Sequence, residues 1–155
     1  MNSLLNLLAN NSLTDVILNI KGKELEAHKV ILTTMSPVFE IMFNEGYTEH
    51  RDSYVKVEDI DSDVFEEFLR FLYSGQVEHL DEMSFELYAA ADKYDVQSLR
   101  EICIEHIGKI IVVDNAVDIL ALADHYGDEN LKLQTQKFIE NNIAELVKRD
   151  AWASL

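Results

Sequence analysis

Cysteine and proline are almost absent from this chain, which has one of each among its 155 residues. The single cysteine, Cys103, cannot form an intramolecular disulfide, and the chain is long enough to bury a core without one. We therefore expect a reducing compartment, which means the nucleus, the cytoplasm or both. The single proline and the lack of any low-complexity stretch argue against long disordered linkers.

Basic residues are also few, with 13 lysines and arginines against 29 aspartates and glutamates and a formal net charge of −16. Binding to DNA, RNA or an anionic membrane needs a basic face, and no window of this sequence supplies one. We therefore expect no nucleic-acid partner. The acidity would speed association with a basic protein, although it would serve solubility equally well.

Long apolar runs are missing too. The most apolar stretch, 107–113, contains Gly108 and Lys109 and is far too short to span a bilayer. The first twelve residues lack the basic segment of a secretory signal, and asparagines interrupt their apolar positions. The sequence therefore predicts no membrane partner.

Catalytic motifs are equally scarce. None of the five histidines has a metal-ligand spacing, and no glycine belongs to a nucleotide-binding loop. Cys103 and His106 could share a helix face, but no orienting group accompanies them, and a buried core cysteine is the commoner state. Adjacent carboxylates such as Glu66 and Glu67 are expected to be solvated. We predict that the chain is not an enzyme and holds no metal or cofactor.

The first eighty residues alternate between helical and strand patterns. Leucines at positions 4, 5, 7 and 8 predict a short helix, which must be buried against something because it is not stable alone. Residues 15–20 and 24–27 predict a hairpin, and residues 54–57 a third strand. A helix restarting at Pro37 and a helix over 61–74 are predicted between loops. Residues 76–78 predict a short edge strand.

Beyond residue 80 every pattern is helical. The periodicity predicts helices over 84–94, 96–109, a third capped by Asp114 and ended by Gly127, and a fourth over 130–147. The third is expected to bury Val117, Leu120 and Ala121. The fold class is α+β or α/β-like, with a small early sheet followed by helices.

Five segments of the sequence form a recognisable series: Thr14-Asp15, Ala27–Leu32, Ser36–Phe39 with Met42-Phe43, Phe71–Gly75 and Ala89–Tyr94. In this order and spacing they resemble the BTB/POZ family, most closely the BTB region of speckle-type POZ proteins, which carry a MATH domain ahead of it. The resemblance implies a BTB/POZ domain over 1–112, a small sheet flanked by helices, then a helical extension over 113–155 that corresponds to the 3-box and the start of a BACK segment.

The family resemblance implies a homodimer. The interface would be formed by the first helix and the helix after His28, through Leu4 and Leu7, with Leu8 nearby, and Ile31. Asp15 and Lys29 match the family's charged pair near the two-fold axis. The alternative is that these leucines cap the chain's own core. His28 is expected to be a hydrogen-bonded core residue with no chemistry.

The resemblance also implies binding to the N-terminal region of cullin-3. Adaptors of this kind carry an apolar-x-Glu motif after the third helix, and Tyr47, Thr48 and Glu49 stand at that place. An ordinary polar loop with a tyrosine by chance is the alternative. The helical pair 114–147, acidic through Asp114, Asp118 and Asp124, would extend the cullin-facing groove.

Three functions remain open. The favoured one is a substrate adaptor for a cullin-3 ubiquitin ligase, since the chain begins at the first helix without the strand that precedes it in many transcription-factor members. The others are a corepressor-binding transcriptional module and a plain dimerisation scaffold. Substrates would be held by a domain absent from this chain, because nothing here resembles a MATH or kelch receptor.

Overall fold

The structure is a computed structural model that describes residues 3–44 and 54–153. The chain divides into two compact units, Met1–Cys103 and Ile104–Leu155. The division predicted above, 1–112 and 113–155, follows the family resemblance and stays a prediction.

The sheet lies in the first unit and has the order β2-β1-β3. Strands β1 (Val16–Ile20) and β2 (Lys23–Ala27) form the predicted antiparallel hairpin, and β3 (Tyr54–Val57) runs parallel to β1. Every second side chain of β1 is buried, which is the period of a strand with one face on the core. The turn residues Lys21 and Gly22 both have positive φ, 51° and 95°, as a tight hairpin that matches the strand twist requires.

The described part of the first unit, 3–44 and 54–103, also contains five helices and about half of a sixth. The predicted start of α3 at its proline is confirmed. The helix α4 ends as predicted at Gly75, whose φ of 76° satisfies the left-handed cap. The six are α1 (Ser3–Ala9), α2 (Lys29–Met35), α3 (Pro37–Asn44), α4 (Ser62–Ser74), α5 (Leu80–Lys93) and α6 (Gln97–Lys109).

The core of the first unit is aromatic. The ring of Tyr94 stacks on Phe39 with centroids 4.6 Å apart, and it meets Phe68 at 5.4 Å and Phe65 at 6.0 Å. All four residues are buried. Each such aromatic pair adds roughly 0.5–1.5 kcal/mol beyond the burial of its surface. This cluster fixes α3, α4 and the end of α5 to one another.

The second unit contains three further helices, α7 (Ala116–Tyr126), α8 (Glu129–Asn141) and α9 (Ile143–Ala153). The prediction of a single helix over 130–147 is wrong, because α8 ends at Asn141 and α9 begins at Ile143. The side-chain amide of Asn142, between them, donates a hydrogen bond to the carbonyl of Phe138 over 2.8 Å. Such local bonds compete with helix propagation. Ile143, at an apolar position of the predicted helix, is 54% exposed.

Other local predictions also need correction. The cap position of α7 is Asn115 and not Asp114, and the buried face of that helix is Ala116, Ile119 and Ala123, whereas Val117 is 61% exposed. Helix α5 begins at Leu80, before the predicted start, with a kink at Met83. Residues 76–78 form no strand.

Candidate interaction surface

Helix α1 carries the first part of the candidate surface. It has seven residues and none of them is buried, although α1 packs against α4. Leu4 is 39% exposed, and Leu7 and Leu8 are half-buried. A helix this short depends on packing for its stability. The chain's own core therefore covers only part of its leucine surface, and the role of that surface in a dimer stays a prediction.

Leu13, which follows this helix, was not selected from the sequence. Its side chain is 86% exposed and its φ is 61°, a left-handed conformation that costs a residue of this kind roughly 1–2 kcal/mol. Asn11, at φ 51°, opens the same turn. The chain thus directs a large apolar side chain into solvent at a conformational cost. The only sequence signal was a lone leucine between polar residues.

His28 holds the segment after α1 in place. Its ring Nε2 lies 2.5 Å from the carbonyl oxygen of Ser12, which can only accept, so Nε2 carries the proton. In the neutral ring Nδ1 is then an acceptor, and it receives the hydroxyl proton of Tyr73 over 2.7 Å. Tyr73 also accepts the backbone N–H of His28 over 2.9 Å. The expectation of a buried, hydrogen-bonded histidine is confirmed.

Burial keeps Tyr73, the hydrogen-bond partner of His28, protonated. It raises the pKa of Tyr73 to about 12, because an ionised phenolate would lose its hydration inside the unit. The Tyr73 hydroxyl therefore stays protonated at neutral pH in the hydrogen-bonded link between Ser12, His28 and Tyr73. It joins the end of the α1 turn to the start of α2 and to α4.

Asp15 and Lys29, predicted as a charged pair, are in contact through the backbone of Lys29. The backbone N–H of Lys29 donates to Oδ1 of Asp15 over 2.8 Å. The carboxylate thus sits at the start of α2, where unsatisfied N–H groups favour a negative charge. The Lys29 ammonium lies 5.5 Å from the ring centroid of Phe43. Their place at a dimer interface stays a prediction.

Helix α2 contributes two apolar residues. Ile31, the predicted interface residue, is half-buried. Its neighbour Val30, which was not predicted for the interface, is 67% exposed. Tyr47, Thr48 and Glu49 lie outside the described residues. The helix that precedes them, α3, exposes 57% of Ile41.

The described residues offer little for catalysis or metal binding. Cys103 is fully buried, and burial raises the pKa of its thiol to about 12, so a thiolate is disfavoured at neutral pH. Across 3–44 and 54–153 no group of three histidine, cysteine, aspartate or glutamate residues could hold a metal ion. In the same ranges no helix combines the length and apolar character needed to cross a bilayer.

Comparison with known proteins assigns the chain to a family. A model of the BTB/POZ domain matches residues 4–111. The solved BTB domain of zebrafish PATZ1 is similar in fold, with a TM-score of 0.61 and 28% identity over 70% of this chain and 87% of that chain. A three-stranded sheet among helices is the α+β fold predicted from the sequence. BTB domains are protein-interaction modules that commonly homodimerise, and this chain belongs to the BTB/POZ family.

Proposed function

We propose that this chain is a homodimer that recruits the N-terminal region of cullin-3 and so acts as the ligase-binding part of a ubiquitin-ligase substrate adaptor. The observation that supports the dimer is that Leu4, Leu13 and Val30 of the first unit are exposed apolar residues. BTB domains commonly homodimerise, and a second copy that covers these side chains would remove their apolar surface from water. Leu7, Leu8 and Ile31 are the half-buried members of this proposed interface.

Recruitment of cullin-3 rests on the end of α3 and on the charge of the chain. Ile41 presents an apolar side chain on α3, ahead of Tyr47, Thr48 and Glu49, the residues proposed to contact cullin-3. A tyrosine beside a carboxylate can supply an interface anchor and a charged rim. The net charge of −16 favours a basic partner face. No contact within 3–44 and 54–153 favours a transcriptional corepressor module.

The second unit supplies separate support. Val117 on α7 and Leu133 on α8 are 61% and 56% exposed, and Asp118, next to Val117, is exposed as well. Asp124, further along α7, is exposed and pairs with Lys132 of α8 at 2.9 Å. An acidic helix pair with open apolar residues suits the 3-box role that the resemblance to speckle-type POZ proteins implies for residues 113–155. Substrates would be held elsewhere, and the assembly would work in the nucleus, the cytoplasm or both. Two ligase scaffolds per dimer would raise substrate avidity.

The test is calorimetric titration of the chain with the N-terminal region of cullin-3. We expect tight binding at one cullin per chain, and loss of at least tenfold in affinity for a Tyr47→Ala, Glu49→Ala variant, since truncation of interface anchors costs about 2 kcal/mol or more. The matched control is Tyr54→Ala, Glu58→Ala, which removes the same two side-chain types from exposed positions at the sheet.

The outcome separates the remaining functions. A dimer that binds no cullin-3 would be a scaffold or a corepressor-type module, and the proposal would fail. Equal losses in both double variants would remove Tyr47 and Glu49 from the site. Light scattering on the same samples reports whether each variant stays dimeric.

A further inference from the structure

The edge of the sheet opposite β3 borders a groove in the first unit. In the described part of the chain β2 pairs only with β1, so one side of its backbone has no strand partner. A groove of about 550 Å³ runs along this side, between β2, α1 and α4. That volume is within the range of ligand pockets, and an unpaired edge is a template for another strand.

The two faces of β2 differ in chemistry. The register pairs Leu25 with the buried Leu18, so Leu25 lies on the core face of the sheet. Glu24 and Glu26 point to the opposite face and are exposed. A strand laid beside β2 would meet an apolar environment on one face and two carboxylates on the other.

The apolar side of the groove is completed by the helices. Lys23 shares the core face with Leu25, and its ammonium pairs with Glu66 of α4 at 2.6 Å, so α4 lies on that face. Leu69 of α4 and Leu5 and Leu8 of α1 line the same groove. Leu8, predicted for the dimer interface, therefore lines a surface within its own chain, whereas Leu4 and Leu7 do not line this groove.

The charged groups of the groove are mostly acidic. Glu26 accepts a hydrogen bond from the Thr14 hydroxyl over 2.9 Å, and Glu24 is exposed beside it. The groove's arginine, Arg70, is already paired with Glu78 at 3.2 Å. A basic segment would therefore gain cross-strand pairs here, and an acidic segment would be repelled.

We propose that this groove binds an extended basic peptide as an additional strand beside β2, with alternating apolar and basic side chains. The apolar ones would face Leu5, Leu8, Leu25 and Leu69, and the lysines or arginines would lie next to Glu24 and Glu26. Main-chain hydrogen bonds to the open edge would give affinity, and the alternation would give specificity. The groove includes Leu8 of the proposed dimer interface, so peptide binding and dimerisation would share this side chain.

The test uses fluorescence anisotropy with a blocked peptide of about nine residues that alternates lysine and valine, the pattern that strand addition requires. Two control peptides isolate the parts of the proposal. One has the same composition with lysines and valines in separate blocks. The other is methylated on alternate backbone nitrogens, so that it cannot pair with the edge. We expect binding of the alternating peptide and at least tenfold weaker binding of both controls.

The protein variants locate the site. Glu24→Lys, Glu26→Lys should weaken binding at least tenfold, because two attractive cross-strand pairs become repulsive. The matched control is Glu86→Lys, a charge reversal at an exposed residue of α5 outside the groove. Circular dichroism checks that each variant folds. If the double variant does not fold, the methylated peptide still tests strand addition on the unmodified chain.

Three outcomes would overturn the proposal. Equal binding of the block peptide would reduce the effect to net charge. Equal binding of the methylated peptide would exclude strand addition. A double variant that changes the monomer–dimer equilibrium instead of peptide binding would show that a second copy of the chain occupies the groove.

Discussion

The hydroxyl oxygen of Tyr73 lies 2.7 Å from Nδ1 of His28 and 2.9 Å from the backbone nitrogen of the same residue. One buried hydroxyl thus gives its proton to the ring and accepts the amide proton. Loss of that oxygen would leave a buried N–H and a ring nitrogen without this partner, and unsatisfied buried polar groups are costly.

We expect Tyr73→Phe to lower the free energy of unfolding by about 1–3 kcal/mol. Urea denaturation measures this change. The matched control is Tyr54→Phe, whose exposed hydroxyl accepts a bond from Asn19 over 2.6 Å and should cost less than about 0.5 kcal/mol. Equal losses in the two variants would contradict the role given to Tyr73.

Glu67 and His79 form a second coupled pair. Glu67 is buried, and its carboxylate accepts the backbone N–H groups of Glu78 and His79 and lies 3.0 Å from Nδ1 of His79. Burial opposes ionisation of Glu67, but these hydrogen bonds outweigh it and hold the pKa of the carboxyl below its ordinary 4.5. The bond to Glu67 raises the pKa of His79 above its ordinary 6.5.

The pair should stabilise the fold within a limited pH window. The contribution of Glu67, whose pKa is lowered, is complete above pH 4.5 and is lost as the pH falls through the folded value. The contribution of His79, whose pKa is raised, is complete below pH 6.5 and is lost as the pH rises through the folded value. Both are therefore complete between these limits.

We expect the stability difference between wild type and Glu67→Gln to be largest in this window and to shrink on either side. Urea denaturation across pH measures it. An NMR titration should also show a lower pKa for His79 in Glu67→Gln, but not in the control Glu66→Gln, whose carboxylate pairs with Lys23. An unchanged His79 titration in Glu67→Gln would rule out the coupling.

The hairpin and the α4 helix could be predicted because hydrophobic periodicity fixes them. Val16, Leu18 and Ile20 alternate, and the apolar positions of α4 recur at helical spacing. The break at Asn142 was invisible to that method, because the apolar spacing continues through it while a side-chain hydrogen bond ends the helix.

The site was less predictable than the fold. Glu67 was expected to be solvated beside Glu66, yet it is buried, because the backbone of Glu78 and His79 folds back onto it. That contact also uses the N–H of Glu78, which the predicted strand over 76–78 would have needed. Such long-range contacts leave no local trace in the sequence. The residues of the cullin prediction, 47–49, lie outside the described ranges.

The leucines of α1 provide the test of self-association. We expect Leu4→Asp, Leu7→Asp to convert the dimer to monomer, since two carboxylates without partners would be buried at the interface. Sedimentation equilibrium measures the shift. The control is Leu133→Asp, a substitution at a 56% exposed leucine of α8. A dimer that survives the double variant would show that these leucines only dock within their own chain.

Leu13 gives a prediction in which stability and association move in opposite directions. Asparagine tolerates a φ of 61° better than leucine does, so Leu13→Asn should raise the free energy of unfolding of the monomer by up to about 1 kcal/mol. The same change removes an exposed apolar side chain and should weaken the dimer several-fold if Leu13 belongs to the interface. Urea denaturation in the monomeric Leu4→Asp, Leu7→Asp background measures the first effect, and sedimentation of the single variant measures the second. A more stable monomer with unchanged association would place Leu13 outside the interface, and the strain at this residue would then have no role in self-association.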